Sequence, residues 1–218
     1  LSSVFSIPFL GLTNEGMPRF YNERGVETLG DFNFSSSNIN FLKYSGTLDP
    51  TDVGTLTNTF RYKNFTLSAN INYEFGAVTR LRSISNTDDY SAFPRELTQR
   101  WKKPGDEAHT DIPRIPTSYA FDQYGADNLI NGFYAYSAST ARIVSTDLVR
   151  LKEISMEYTV SKTLLRRTPL KNLAVKLQAQ NLMLLYSDAR LRGDDPAYMY
   201  SSSVTAPKKL ILTLRVGL

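Results

Sequence analysis

One stretch, FTLSANINYEF at residues 65–75, restricts the possible folds more than any other part of the chain. It alternates without a slip. Phe65, Leu67, Ala69, Ile71, Tyr73 and Phe75 point to one side of an extended chain, and Thr66, Ser68, Asn70, Asn72 and Glu74 to the other. A period of two over this length makes a half-buried strand. The strand is about twice the usual length and close to the roughly 9–11 residues that cross a bilayer when tilted. Aromatics at both ends suit the two membrane interfaces. A long strand lying on the core of a soluble β-sandwich would alternate in the same way.

Composition removes several other possibilities. The mean hydropathy of −0.29 looks soluble. A membrane barrel is still allowed, because only alternate residues face lipid and the average is diluted. No run of the 218 residues approaches about 18 consecutive apolar positions, so no transmembrane helix is expected. The opening LSSVFSIPFL has no Met and no basic region, and reads as a chain that begins mid-protein rather than as a signal peptide. There is no cysteine, and His109 is the only histidine. Disulfide frameworks, thiolate or histidine zinc sites and a Ser-His-Asp triad are therefore not expected. The net charge of +4 is scattered, without a basic run or an RNP-like aromatic motif, so nucleic acid is not an expected partner.

Further strands follow the same rule. TLTNTFRY (55–62) sets Leu56, Phe60 and Tyr62 on one face, with Asn58 as an interruption. EISMEYTV (153–160) sets Ile154, Met156, Tyr158 and Val160 opposite Glu153, Ser155, Glu157 and Thr159. LAVKLQAQ (173–180) sets Leu173, Val175, Leu177 and Ala179 opposite Lys176, Gln178 and Gln180. LILTLRVGL sets Leu210, Leu212, Leu214, Val216 and Leu218 opposite Thr213 and Arg215, with Ile211 as an exception. Strands are thus expected near 53–62, 65–78, 147–160, 172–186 and 209–218. In DLVRLKEISMEYTV the apolar phase changes between Leu151 and Ile154. Either a bulge lies near Lys152 or the upper half has left the membrane. The second is the preferred reading, because Arg150 and Lys152 would then meet water or headgroups.

Connections alternate short (63–64, 161–171) and long (1–53, 79–144, 187–208), as they do in outer-membrane barrels. The long stretch 79–144 is expected to hold a short helix in SAFPRELTQRW. Ser91 would cap it, Pro94 would lie near its first turn, Leu97 and Trp101 would share a face, and Pro104-Gly105 would end it. KTLLRRTPL (162–170) suggests another helical turn.

At this point the chain resembles a family. LVRLKEISMEYTV, LAVKLQAQNLM, DDP and a terminal alternating strand resemble the C-terminal end of SusC/RagA-type TonB-dependent outer-membrane transporters. GLTNEGMP (11–18), FRYKNFTLSANINYEFG and RWKKPGD (100–106) with IPR (112–114) are similar to family stretches upstream, in the same order. The resemblance covers residues 11 to 218 and implies an all-β fold, an antiparallel up-and-down sheet from a large transmembrane barrel with long extracellular loops. It implies import of oligosaccharide or peptide across the outer membrane of a Gram-negative, Bacteroidota-like bacterium. The implied partners are a SusD-like surface lipoprotein, TonB acting through an N-terminal region that is absent here, outer-membrane lipid, and a glycan or peptide ligand. The chain would be the last five strands, without the plug domain, and its end at Leu218 departs from the aromatic common at barrel termini. A soluble β-rich surface adhesin or binding module is the alternative.

No residues suggest an enzyme, and no cofactor or metal is expected. Asp88-Asp89 and Asp194-Asp195 read as solvated turns, and RGD (192–194) as a chance tripeptide. Gly132 and the other glycines form no phosphate-cradling motif. Tyr119, Phe121, Tyr124, Tyr134, Tyr136 and Trp101 are candidate ligand or partner contacts, because flat rings stack on sugars and anchor interfaces. The competing reading packs them on the loop itself, most of all Trp101. The residues expected to face lipid are Leu67, Ala69, Ile71, Ile154, Met156, Val175, Leu177, Leu212 and Leu214.

Overall fold

The computed structural model describes residues 2–35, 37–81, 95–191, 194–198 and 206–218. Its strands begin with β1 (Ser3–Ser6), β2 (Phe9–Leu12), β3 (Pro18–Tyr21), β4 (Glu27–Thr28) and β5 (Lys43–Thr47). There follow β6 (Asp52–Tyr62), β7 (Phe65–Phe75) and β8 (Val78–Arg80). Helices α1 (Ser118–Tyr124) and α2 (Ala126–Ser137) precede β9 (Ile143–Ser145) and β10 (Leu148–Thr159). Helix α3 (Lys162–Leu165), β11 (Asn172–Ser187) and β12 (Lys209–Gly217) complete the order. The chain divides into two compact units: Leu1–Leu48 with Val78–Val144, and Asp49–Ala77 with Ser145–Leu218.

The second unit is built on one five-stranded antiparallel sheet in the order β12-β11-β10-β7-β6. Its strands lie in chain order, with β6 and β12 at the edges. Lys63 and Asn64 join β6 to β7, and Lys63 takes φ 51°, a left-handed conformation that suits the twist of a two-residue hairpin. The link from β10 to β11 contains the helical turn expected there, α3. The strand expected over 65–78 stops at Phe75. Gly76 has φ 86°, and a Cβ on it would lie 2.1 Å from Thr51 Oγ1. Its N–H instead donates to Asp147 Oδ1 at 2.7 Å.

The phase change near Lys152 is a bulge, not an exit from the sheet. Leu151 faces Ile71 and Glu153 faces Asn70, so Lys152 is an extra residue in β10. Against β11, Leu151 faces Met183 and Glu153 faces Gln180, which leaves Asn181 and Leu182 as the surplus on that strand. Asn181 takes φ 54°, the left-handed region that asparagine tolerates better than most residues. Lys152 thus shifts the phase of β10, whereas the two extra residues leave that of β11 unchanged until Leu185, a further surplus between Leu184 and Tyr186.

The first unit holds three small sheets, β1 with β5, β2-β3-β4, and β8 with β9. Two apolar clusters support it. Ile7, Phe20, Ala135 and Tyr136 form one, and Met17, Ala120, Leu129 and Phe133 the other. Helix α2 supplies both clusters from one side. Gly132 lets it approach Leu29, since a Cβ there would lie 2.7 Å from the Leu29 carbonyl oxygen. The helix expected in SAFPRELTQRW is a 3₁₀ turn, Arg95–Gln99. Ser91, Pro94, Asp88-Asp89 and the Arg192-Gly193 part of RGD lie outside the described residues.

The 3₁₀ turn carries an ion pair that the sequence reading missed. Arg142 is 2% exposed, and its two terminal nitrogens bond Glu96 at 2.8 and 2.9 Å. Its guanidinium also lies 5.6 Å from the Tyr136 ring centroid. A buried cation needs such partners, because removing one leaves an uncompensated charge. Glu96→Ala is expected to destabilise the protein by about 3–5 kcal/mol in denaturant unfolding, while Glu96→Leu with Arg142→Met recovers much of the loss.

Burial also pushes the Tyr136 phenol up to about 12, against the opposing pull of Arg142. A raised native value means that the neutral phenol is favoured in the fold. That contribution is complete below the unfolded value of about 10 and is lost as pH rises towards 12. Thermal melts of wild type and Tyr136→Phe should therefore diverge above about pH 10, with the wild type falling more steeply.

Candidate membrane-facing surface

The register of the sheet assembles the alternating residues into rows that run across the strands. Phe60, Leu67, Met156, Leu177 and Leu212 are mutual neighbours from edge to edge. Tyr62, Phe65, Tyr158, Val175 and Leu214 form the row towards the short turns. On the other side lie Asn58, Ala69, Ile154, Ala179 and Leu210, followed by Leu56, Ile71, Leu151 and Met183. All the residues expected to face lipid thus stand on one face, which carries no charge in these rows. Most of its large side chains are exposed, with Leu212 at 71% and Phe60 at 68%, while Ile71, Leu151, Tyr158 and Val175 are half-buried.

Aromatics border this face at both ends. Phe65 and Tyr158 pack with ring centroids 4.7 Å apart near the short turns. Tyr73 and Phe75 stack at 5.5 Å near the long connections. Gly54 makes room for the Tyr73 ring, because a Cβ there would lie 2.3 Å from its hydroxyl. Phe65 and Tyr73 are separated by about 26 Å along the strand, which a tilt of about 40° reduces to roughly 20 Å in height, somewhat less than the roughly 25 Å apolar band of an outer-membrane barrel.

The opposite face is polar and internally bonded. Thr59 and Ser68 share a hydrogen bond of 2.9 Å, Thr55 donates to Asn72 at 3.2 Å, and Gln180 donates to Glu153 at 3.0 Å. Arg215 pairs with Glu157 at 3.2 Å. The sheet therefore has one apolar and one polar face. Among the described residues no helix is long and apolar enough to cross a membrane, a statement that leaves strands aside.

Arg150 stands on the polar face, opposite Asn72. It forms a two-pronged ion pair with Asp195, at 2.6 and 2.7 Å. Sequence reading had Arg150 meeting water or headgroups and Asp195 in a solvated turn. The pair instead ties the connection after β11 to the sheet, and Asp195 also accepts the Ala197 N–H at 3.1 Å. The spacing of LVRLK and DDP held no local sign of this contact, since 45 residues separate the partners.

The ring-bearing candidates in the first unit divide by exposure. Trp101 is buried against Gly16, whose φ is 77°, and a Cβ on Gly16 would lie 2.4 Å from the indole. Its indole N–H donates to Glu107 at 3.0 Å. GLTNEGMP and RWKKPGD thus form one packed knot. Tyr136 is buried and presents no ring face to solvent. Tyr124 is half-buried and donates to Glu15. Burial first, then Glu15, pushes its phenol up to about 12. Tyr119, Phe121 and Tyr134 are exposed, and Tyr134 stands edge-on to Phe34 at 5.3 Å.

This arrangement is an all-β architecture of antiparallel sheets, and solved structures share it. The chain is similar to the RagAB peptide importer in its open-open state, with a TM-score of 0.62, 15% identity, and coverage of 98% of this chain and 22% of that one. The closed-closed state of the same importer matches with a TM-score of 0.62 and 16% identity over 97% of this chain and 22% of that one. Another structure of the RagAB peptide transporter gives a TM-score of 0.56 and 17% identity over 85% and 19%. The chain thus spans about a fifth of the length of the chains it matches. No family model matches it, and no curated protein sequence does either.

Proposed function

We propose that this chain is part of the wall of an outer-membrane importer of the SusC/RagA kind, with Leu67, Ala69, Ile71, Ile154, Met156, Val175, Leu177, Leu212 and Leu214 facing lipid. The observation that carries this reading is the uncharged row of side chains running from β6 to β12, exposed and bordered by aromatics. A soluble module would have to cover that face with a second layer. The polar face then lines a wet interior. Five strands cannot close, because about eight make the smallest usual barrel, so the sheet works within a larger wall. The imported nutrient is a peptide or oligosaccharide, and likeness to a peptide importer favours peptide. A SusD-like surface lipoprotein and TonB are the partners of the complete transporter, and Tyr119, Phe121 and Tyr134 are its exposed candidates for ligand or partner contact.

Two experiments test this. Ile71→Arg near the middle of the apolar face should destabilise the folded barrel by about 2–4 kcal/mol. Asn72→Arg, one residue on and facing the wet side, should be far milder in the same unfolding assay. Equal damage from both would end the assignment of faces. Sidedness is read separately. Protease added to intact cells carrying the whole transporter should cut within 79–144, whereas cleavage confined to 161–171 would invert the topology.

A further inference from the structure

At the short-turn end of the sheet, the two links 63–64 and 161–171 carry basic side chains and no acidic ones. Hydrogen bonds bring both short links to that end. Thr159 donates to the Asn64 carbonyl at 2.9 Å, and Lys171 to that of Gly217 at 2.8 Å. Between residues 160 and 172 there is no Asp or Glu, yet Lys162, Arg166, Arg167 and Lys171 are present, and Lys63 lies in the neighbouring hairpin turn. All are exposed, and none forms a salt bridge among the described residues. The Lys63 ammonium lies 5.3 Å from the centroid of the Tyr62 ring. The opposite end of the same unit mixes signs, with Asp52, Asp147 and Asp188 alongside Arg190.

A turn that only needs water is served by either sign, and a cluster of one sign repels itself. Its position supplies the missing counter-charge. Tyr62 and Phe65 flank the hairpin turn and Tyr158 closely precedes the 161–171 link, so the aromatic edge of the apolar face adjoins the links that carry these cations. In a membrane the level just beyond such a belt is that of the headgroup phosphates. The link is also amphipathic. Leu165 is 7% exposed and tucked inward, while Leu164 is 66% exposed beside the basic residues.

We propose that Lys162, Arg166, Arg167 and Lys171, with Leu164 among them, form a binding surface for the headgroups of anionic phospholipid. The surface rests on the membrane-spanning reading and adds a lipid preference to it. In the sidedness given above it engages the inner leaflet. It grips the barrel at the level where the short turns leave the hydrocarbon.

The test uses the whole transporter in phosphatidylcholine bilayers with a trace of spin-labelled phosphatidylglycerol or phosphatidylcholine. The wild type should take phosphatidylglycerol over phosphatidylcholine into its immobilised shell by about tenfold. That preference should fall in high salt. Adding inorganic phosphate at matched ionic strength should leave it in place. Replacing all four cations by glutamine should abolish it, and the charge-keeping Arg166→Lys, Arg167→Lys variant should retain it. Equal uptake of the two lipids by wild type, a preference undiminished in the glutamine variant, or displacement by free phosphate would each overturn the proposal. Failure of wild type to fold in either bilayer would instead overturn the membrane-spanning reading beneath it.

Discussion

The two-residue period of the strands is the constraint to which the rest of the second unit answers. Paired residues in neighbouring strands share a face, so a one-residue slip anywhere would turn an apolar side chain towards the polar side. Ile71, Leu151 and Met183 are aligned although the phase of β10 changes at Lys152. The bulges at Lys152 and at Asn181-Leu182 are therefore part of what keeps the two faces separate, and Asn181 supplies a left-handed conformation at lower cost than a branched residue would.

A different kind of order holds the first unit. Its strands are short and its two apolar clusters small, so single close contacts matter more. Trp101 lies on Gly16, Gly132 admits Leu29, and Arg142 is buried between Glu96 and Tyr136. Each joins positions distant in sequence. Residues separated by long connections are thereby fixed without an extensive core.

This difference decides how much could be read in advance. The sheet was legible because FTLSANINYEF and its neighbours advertise their period locally, and that pattern carries the face assignment. The bulge was visible as an irregularity, but its cause was misjudged, because the matching surplus lies on β11, out of sight of the β10 sequence. In α2, Leu129, Phe133 and Tyr136 repeat at helical spacing, a signal that was present and unread, weakened by Gly132 in its middle. The short strands β1 to β5 are too brief for a period to show. The Arg150–Asp195 and Arg142–Glu96 pairs needed three-dimensional information. Of the ring candidates, burial separates Trp101 and Tyr136 from Tyr119, Phe121 and Tyr134; Tyr136 belongs to the α2 stripe, whereas the burial of Trp101 against Gly16 has no simple sequence mark.

Lys152 matters by being counted. Its side chain is exposed and enters no salt bridge among the described residues, so many amino acids could stand there with little effect. Its loss would be another matter. With one residue fewer, Leu148 to Leu151 would all change sides together. Leu151 would leave the row of Ile71 and Met183, and Arg150 would be carried away from Asp195 to the apolar side. A single missing codon would act as four substitutions and one broken tether, so the position tolerates replacement but not omission.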